Sequence, residues 1–209
     1  MLIKKEENQV GERENLVTPV SHKEKKFLST LGSFFLEVIK LAILSGITIG
    51  LVRYFLFKPF YVRGQSMEPT FYEHDYLIID ELSYRFREPK RGEVVVFKAP
   101  NGTDYYLKRV VGLPGERVKI ENNKVIIYNE EKPQGMVLNE AYLEEQTLGN
   151  VMETLGQDEY FLLGDNRDAS YDSRRFGSVS KKKLVGRAWL RGWPPSRVGA
   201  LALPIYNLE

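Results

Sequence analysis

Ser66 lies in Gly64-Gln65-Ser66-Met67-Glu68-Pro69-Thr70, a stretch built for a turn. Gly64 frees the backbone ahead of the hydroxyl, and Pro69 steers the residue before it away from helix. A hydroxyl held in such a turn can act as a nucleophile when a neighbouring base takes its proton. The same composition also suits an ordinary surface loop, so the reading turns on whether the chain supplies a base.

Histidine is the usual base, and the chain has two, His22 and His74. His22 precedes the long apolar run, whereas Ser66 follows it. His74 sits in the polar stretch Glu73-His74-Asp75 and leaves a Ser-His-Asp arrangement open. Lys108 is the other candidate, within Tyr105-Tyr106-Leu107-Lys108-Arg109-Val110-Val111. Strand alternation puts Tyr106, Lys108 and Val110 on one face and Leu107, Arg109 and Val111 on the other. A free lysine titrates near ~10.4, but apolar surroundings disfavour the ammonium and lower that value by ~2–3 units. A lysine treated in this way is a base near neutral pH; one on an exposed strand is not.

A third chemically dense stretch runs Gly164-Asp165-Asn166-Arg167-Asp168-Ala169-Ser170-Tyr171-Asp172-Ser173-Arg174. It does not fit a calcium loop, because Arg167 occupies the third ligand position and the required glycine is missing. The Ser170 hydroxyl has the chemistry to orient a neutral lysine. Asp172 and Arg174 can pair and stiffen the loop.

Composition narrows the classes. The chain has 209 residues, a formal net charge of +2 and no cysteine. Thiolate catalysis, disulfides and cysteine-held metals are therefore excluded. Two histidines do not make a multi-histidine metal centre, and no metal or other cofactor is expected. Basic residues are interspersed with acidic ones, without a nucleic-acid-binding signature.

The elements that must position these groups follow from hydropathy. Residues 1–33 are polar and mixed in charge, and read as a flexible arm. Residues 34–57 contain the uninterrupted apolar segment Leu41 to Val52. As one helix they span about 36 Å, enough for a bilayer core of ~30 Å. A buried core helix is the competing reading. The run starts too late for a cleavable signal peptide and lacks a small-x-small site after it. Lys23, Lys25 and Lys26 place the amino-terminal side in the cytoplasm, with residues 58–209 outside. That later part reads as strands at 76–79, 94–97, 105–111, 118–120, 125–128, 160–163 and 186–190. Asn122-Asn123 suits a tight hairpin turn, and short helices are candidates at 138–146 and 180–184. The expected fold is mainly β, an antiparallel catalytic domain with an inserted β excursion at about 121–158, behind one transmembrane helix.

Four stretches, in order and behind the anchor, resemble the conserved boxes of bacterial type I signal peptidases, the Ser-Lys enzymes of family S26. They are Ser66-Met67-x-Pro69-Thr70, Arg91-Gly92-Glu93-Val94-Val95-Val96-Phe97, Lys108-Arg109-Val110-Val111-Gly112-Leu113-Pro114-Gly115 and the 164–174 stretch. The resemblance covers roughly residues 34–193. It implies a membrane-anchored endopeptidase that cuts signal peptides from exported preproteins after small-x-small sites. In that reading Ser66 attacks, Lys108 is the base, and Ser170 orients Lys108. Asp165, Arg109, Asp172 and Arg174 hold the loops. Phe60, Val62, Met67, Phe71 and Leu107 line the pockets for small residues, and Phe60, Phe71 and Tyr72 touch membrane lipid.

One departure concerns the oxyanion. Some members carry a serine where this chain has Gly64, so the hole is left to backbone N–H groups, those of Ser66 and Gly64. The resemblance implies the plasma membrane, with the thylakoid membrane as the other home for the family, and it leaves oligomeric state open. A non-catalytic anchored homologue acting as a binding module is the rival reading; retention of both Ser66 and Lys108 speaks against it.

Overall fold

The computed structural model describes residues 22–55, 57–143, 145–204 and 206. The chain divides into two compact units, residues 1–49 and 50–209. Helix α1 (His22–Phe55) begins inside the segment expected to be a flexible arm, and Phe57 already belongs to a strand. Residues 1–21 of that arm lie outside the described residues.

Within α1, Thr30–Leu51 is apolar enough and long enough to cross a membrane. Its 22 residues make about 33 Å of helix. Large apolar side chains from Leu31 to Leu51 are exposed all along it, the surface that a lipid-facing helix presents. Thr30 and Thr48 donate their hydroxyls to the carbonyls of Lys26 and Leu44, which leaves those polar atoms satisfied without water.

The strands of the second unit all pair antiparallel, as the alternation and turn residues predict. Its strands are β1 (Phe57–Tyr61), β2 (Tyr76–Asp80), β3 (Val94–Lys98), β4 (Tyr105–Gly112), β5 (Arg117–Glu121) and β6 (Lys124–Tyr128). Then follow β7 (Met136–Val137), β8 (Val151–Thr154), β9 (Glu159–Leu163), helix α2 (Ser173–Phe176), β10 (Val179–Ser180), β11 (Leu184–Trp193) and β12 (Gly199–Ala200). The larger sheet runs β1-β2-β11-β3-β4-β9-β10, with β12 on β11; the smaller runs β7-β6-β5-β8.

The smaller sheet is the excursion. It begins with β5 at Arg117 rather than at residue 121. Asn122 and Asn123 both take positive φ between Glu121 and Lys124, the geometry of the two-residue turn expected there. Among the described residues of 138–146 no helix forms, and Lys181–Lys183 is a single 3-10 turn.

Central strands bury both faces, which explains why β3 and β9 read as continuous apolar runs. Val95, Phe97, Val110, Tyr160 and Leu162 pack into one cluster. Met67, Phe71, Leu77, Ile79, Val94 and Val96 make another. A third, around Val111, Val118, Ile120, Ile127 and Phe161, joins the excursion to the larger sheet. Lys108 therefore lies on an inner strand, between β3 and β9, walled by apolar residues.

Candidate active site

Ser66 sits on the connection between β1 and β2. The chain turns there as Glu68 N donates to Gln65 O (3.1 Å) and Phe71 N to Met67 O (2.8 Å). Met67 and Phe71 anchor the turn, both essentially without solvent exposure. Gly64 enters it with φ of +81°, a conformation that favours glycine. Polar ties fix the far end of the turn: Thr70 Oγ1 donates to Asp165 Oδ2 at 2.6 Å, and Arg191 donates to the Thr70 carbonyl.

Lys108 reaches this turn from β4. Its Nζ lies 2.6 Å from Ser66 Oγ, and the side chain is 4% exposed. Burial lowers its pKa from an ordinary 10.5 to about 8. Asp172 and Asp165 oppose that fall by favouring the ammonium, while Arg174 adds to it.

Arg109, the next residue, points to the opposite face and closes a fork on Asp165, Nε to Oδ1 at 2.8 Å and Nη2 to Oδ2 at 2.5 Å. Its Nη1 donates to Gly92 O at 2.7 Å. Both partners of this pair are buried, and the bidentate geometry satisfies the charges that burial would otherwise penalise.

The 164–174 loop follows β9, the neighbour of β4, and folds back on the nucleophile turn. Asn166 N donates to Ser66 O at 3.2 Å. Asp172 caps α2, accepting from Arg174 N at 3.2 Å and Nε at 2.9 Å, and from Gly164 N at 3.1 Å. Burial works against its charge, but the Arg174 guanidinium and these donors outweigh it and hold the carboxyl below its ordinary range. Gly164 has no room for a side chain: a Cβ there would stand 2.2 Å from Ser170 Oγ and 2.5 Å from Ser66 O.

Beside Ser66 opens a cleft of about 360 Å³. Phe60, Val62, Met67 and Leu107 line it, as expected, and so do Tyr105, Tyr106, Ala169 and Tyr171, which sequence reasoning had not marked. Tyr106 had a signal, since it shares the Lys108 face by strand alternation. Ala169 and Tyr171 had none beyond lying next to Ser170.

Three expectations change. Phe71 does not line the cleft and is not at the surface: it is 0% exposed, packed into the core beneath the turn because β2 and β11 cover it. Tyr72, its neighbour, is the exposed one. Ser170 is buried, but its Oγ has no hydrogen-bond partner of good geometry among the described residues, so the expected bond to Lys108 is not made. Its influence falls instead on Asp172, whose charge it favours. The Gly64 amide, expected to serve an oxyanion, donates instead to Glu73 Oε1 at 3.3 Å. His74 does not line the cleft; its ring stacks at 5.3 Å on Tyr61 and is hydrogen-bonded to the Tyr61 hydroxyl. Among the described residues, no cluster of side chains could hold a metal ion.

Over most of its length the chain is similar to known proteins. Residues 35–193 match the family model described as signal peptidase, peptidase S26. A probable signal peptidase I-2 from Synechocystis sp. is 39% identical over 197 residues, covering 90% of this chain and 85% of that protein. Signal peptidase I P from Bacillus subtilis subsp. natto is 32% identical over 188 residues, covering 84% of this chain and 96% of that protein. A crystal structure of a signal peptidase I from Enterococcus faecalis V583 aligns at 29% identity with a TM-score of 0.42, over 48% of this chain and 97% of that one. With most of its length matched both by the family model and by named relatives, the chain belongs to the S26 family of signal peptidases.

Proposed function

We propose that the protein is a membrane-anchored signal peptidase that cuts preproteins with a Ser66–Lys108 dyad. The observation that carries this reading is the 2.6 Å contact between Lys108 Nζ and Ser66 Oγ, made by a lysine whose burial lowers its pKa to about 8. At pH 7 about one lysine in ten is then neutral, against fewer than one in a thousand for a free side chain.

In its neutral form Lys108 accepts the Ser66 hydroxyl proton as Oγ attacks the scissile carbonyl carbon. The carbonyl oxygen becomes an oxyanion, facing the Ser66 amide. Collapse breaks the C–N bond, and the Lys108 ammonium returns its proton to the leaving amine. The signal-peptide end is left as an ester on Ser66. Water then attacks the ester with Lys108 again as base, which restores the hydroxyl and releases the carboxylate.

Ser170 supports the dyad in this reading. The Ser170 hydroxyl is buried and favours the charge of Asp172, and a neutral Lys108 amine can draw on the same hydroxyl during the reaction. Asp165 with Arg109, and Asp172 with Arg174, keep the two loops in register through their buried pairs. Phe60, Val62, Met67 and Leu107 give the cleft apolar walls suited to the small residues before a signal-peptide cut.

The anchor is Thr30–Leu51, and the β sheets that follow it are the catalytic domain. Lys23, Lys25 and Lys26 favour a cytoplasmic amino-terminal side, with catalysis on the outer face of the plasma membrane. Half-buried Phe60 and exposed Tyr72 are suited to contact lipid there.

The test uses the full chain in detergent with one preprotein whose signal ends in Ala-x-Ala, the cut being mapped by mass. Ser66→Ala and Lys108→Ala are expected to abolish cleavage while circular dichroism stays unchanged. Normal processing by either variant overturns the dyad.

A further inference from the structure

The excursion does more than fill out the fold. Between β7 and β8 its chain leaves the smaller sheet and crosses to the back of the catalytic loops. Arg167, fully buried, forks onto Glu140 there, Nη1 to Oε2 at 2.9 Å and Nη2 to Oε1 at 2.6 Å. It also donates to Thr147 Oγ1. Tyr142 gives its hydroxyl to Glu140 Oε1 at 2.7 Å and lays its ring 4.3 Å from the Arg109 guanidinium. Arg174 Nη1 donates to Leu148 O at 3.1 Å.

These contacts converge on Gly164. Arg167 Nε donates to the Gly164 carbonyl at 3.0 Å, while Gly164 N is held by Asp172. Gly164 in turn abuts Ser66 O and Ser170. Asp165, the next residue, is paired with the Arg109 that Tyr142 covers. A displacement of Arg167 or Arg109 therefore passes through one residue to the backbone of Ser66.

We infer that residues 138–143 and 145–148 are a strap belonging to the active site, and that Glu140 and Tyr142 are positioning residues for the loop behind Ser66. Neither touches the cleft. Glu140 neutralises a guanidinium that has no access to water, and Tyr142 gives a second guanidinium an aromatic face instead of solvent. Without them each arginine is drawn toward water, and the loop carrying Ser170 and Asp172 moves with it. The inference rests on the Ser66–Lys108 reading.

The experiment measures kcat and KM of the full chain in detergent on a preprotein-derived peptide, per folded molecule, with thermal melting alongside. Glu140→Gln and Tyr142→Leu are expected to lower kcat by about tenfold to a hundredfold with KM changed less than about twofold, the signature of misplaced groups and not of lost binding. Tyr142→Phe keeps the ring over Arg109 and is expected to restore most of what Tyr142→Leu loses. Glu121→Gln, in an exposed pair with Lys119 on β5, is the control for the excursion and is expected to leave kcat unchanged. Lower melting temperature with unchanged kcat per folded molecule overturns the inference. If Glu140→Gln does not fold, the two Tyr142 variants decide alone. Ser66→Ala and Lys108→Ala run in parallel: if they are inactive while the strap variants are normal, the strap role fails and the dyad stands.

Discussion

Asn166 donates its amide to the carbonyl of Ser66, at 3.2 Å. The loop that follows β9 is thereby joined to the backbone of the proposed nucleophile itself. The position of the Ser66 hydroxyl is set from two sides, by its own β1–β2 turn and by a loop about a hundred residues later in the chain. A strand-borne lysine then meets a hydroxyl that neither segment alone would hold in place.

Gly164 is where that arrangement is tightest. Its alanine variant brings a methyl group to within 2.2 Å of Ser170 Oγ and 2.5 Å of Ser66 O, and both neighbours are buried or tied. Gly164→Ala is expected to cost about 1–3 kcal/mol of stability and to lower kcat on the order of a hundredfold. Urea melts and peptide kinetics on the same preparation check both.

The dependence on pH has a definite sign. In the proposed dyad Lys108 acts when neutral, so kcat/KM is expected to rise with pH through about 8 and level off above it. His74→Ala should leave that limb in place, since its ring is engaged by Tyr61. A limb near ~6.5 that disappears in His74→Ala would instead identify histidine as the base.

A depressed lysine also carries a stability cost. Between pH 8 and 10.5 the unfolded chain binds a proton that the folded one does not, so this group makes the wild type more stable as pH rises across that window. Lys108→Met removes the buried charge and is expected to stabilise the protein at pH 7 by up to roughly 3 kcal/mol while abolishing cleavage. The difference between variant and wild type should shrink toward pH 10.5. Chemical denaturation at several pH values measures it.

Asp165 and Thr70 give a graded pair. Asp165→Ala strands the buried Arg109 guanidinium and is expected to cost about 3–5 kcal/mol. Thr70→Val removes one neutral donor to the same carboxylate and is expected to cost about 1 kcal/mol. A larger loss for Thr70→Val than for Asp165→Ala would refute the assignment of the Arg109 pair as the main tie.

Local rules carried much of the fold. Period-two runs located the principal strands, and Asn122-Asn123 placed the hairpin where both residues take positive φ. What failed were contacts between distant segments. Phe71 reads as a loop aromatic until β11 covers it; the smaller sheet starts at Arg117 because β5 pairs with β8, some thirty residues on. Glu140 and Tyr142 stand in a stretch whose weak helical pattern is misleading, and no local pattern ties them to Arg167 and Arg109. The Ser170 hydroxyl was predicted from chemistry, but its orientation depends on Asp172 and on the space left by Gly164. The apolar neighbours of Lys108 leave open whether it is buried or exposed; β3 and β9, on either side of β4, bury it.

Strand β11 has a consequence for how such a protein comes into being. In the larger sheet it lies between β2 and β3, so the hairpin that presents Ser66 and the pair β3–β4 that presents Lys108 are joined through it. Residues 184–193 come some seventy residues after β4 in the chain. A nascent chain carries both reactive groups long before it has the strand that brings their supports together. Until β11 is added, a growing chain has the residues of the proposed dyad but not the sheet that sets them against each other.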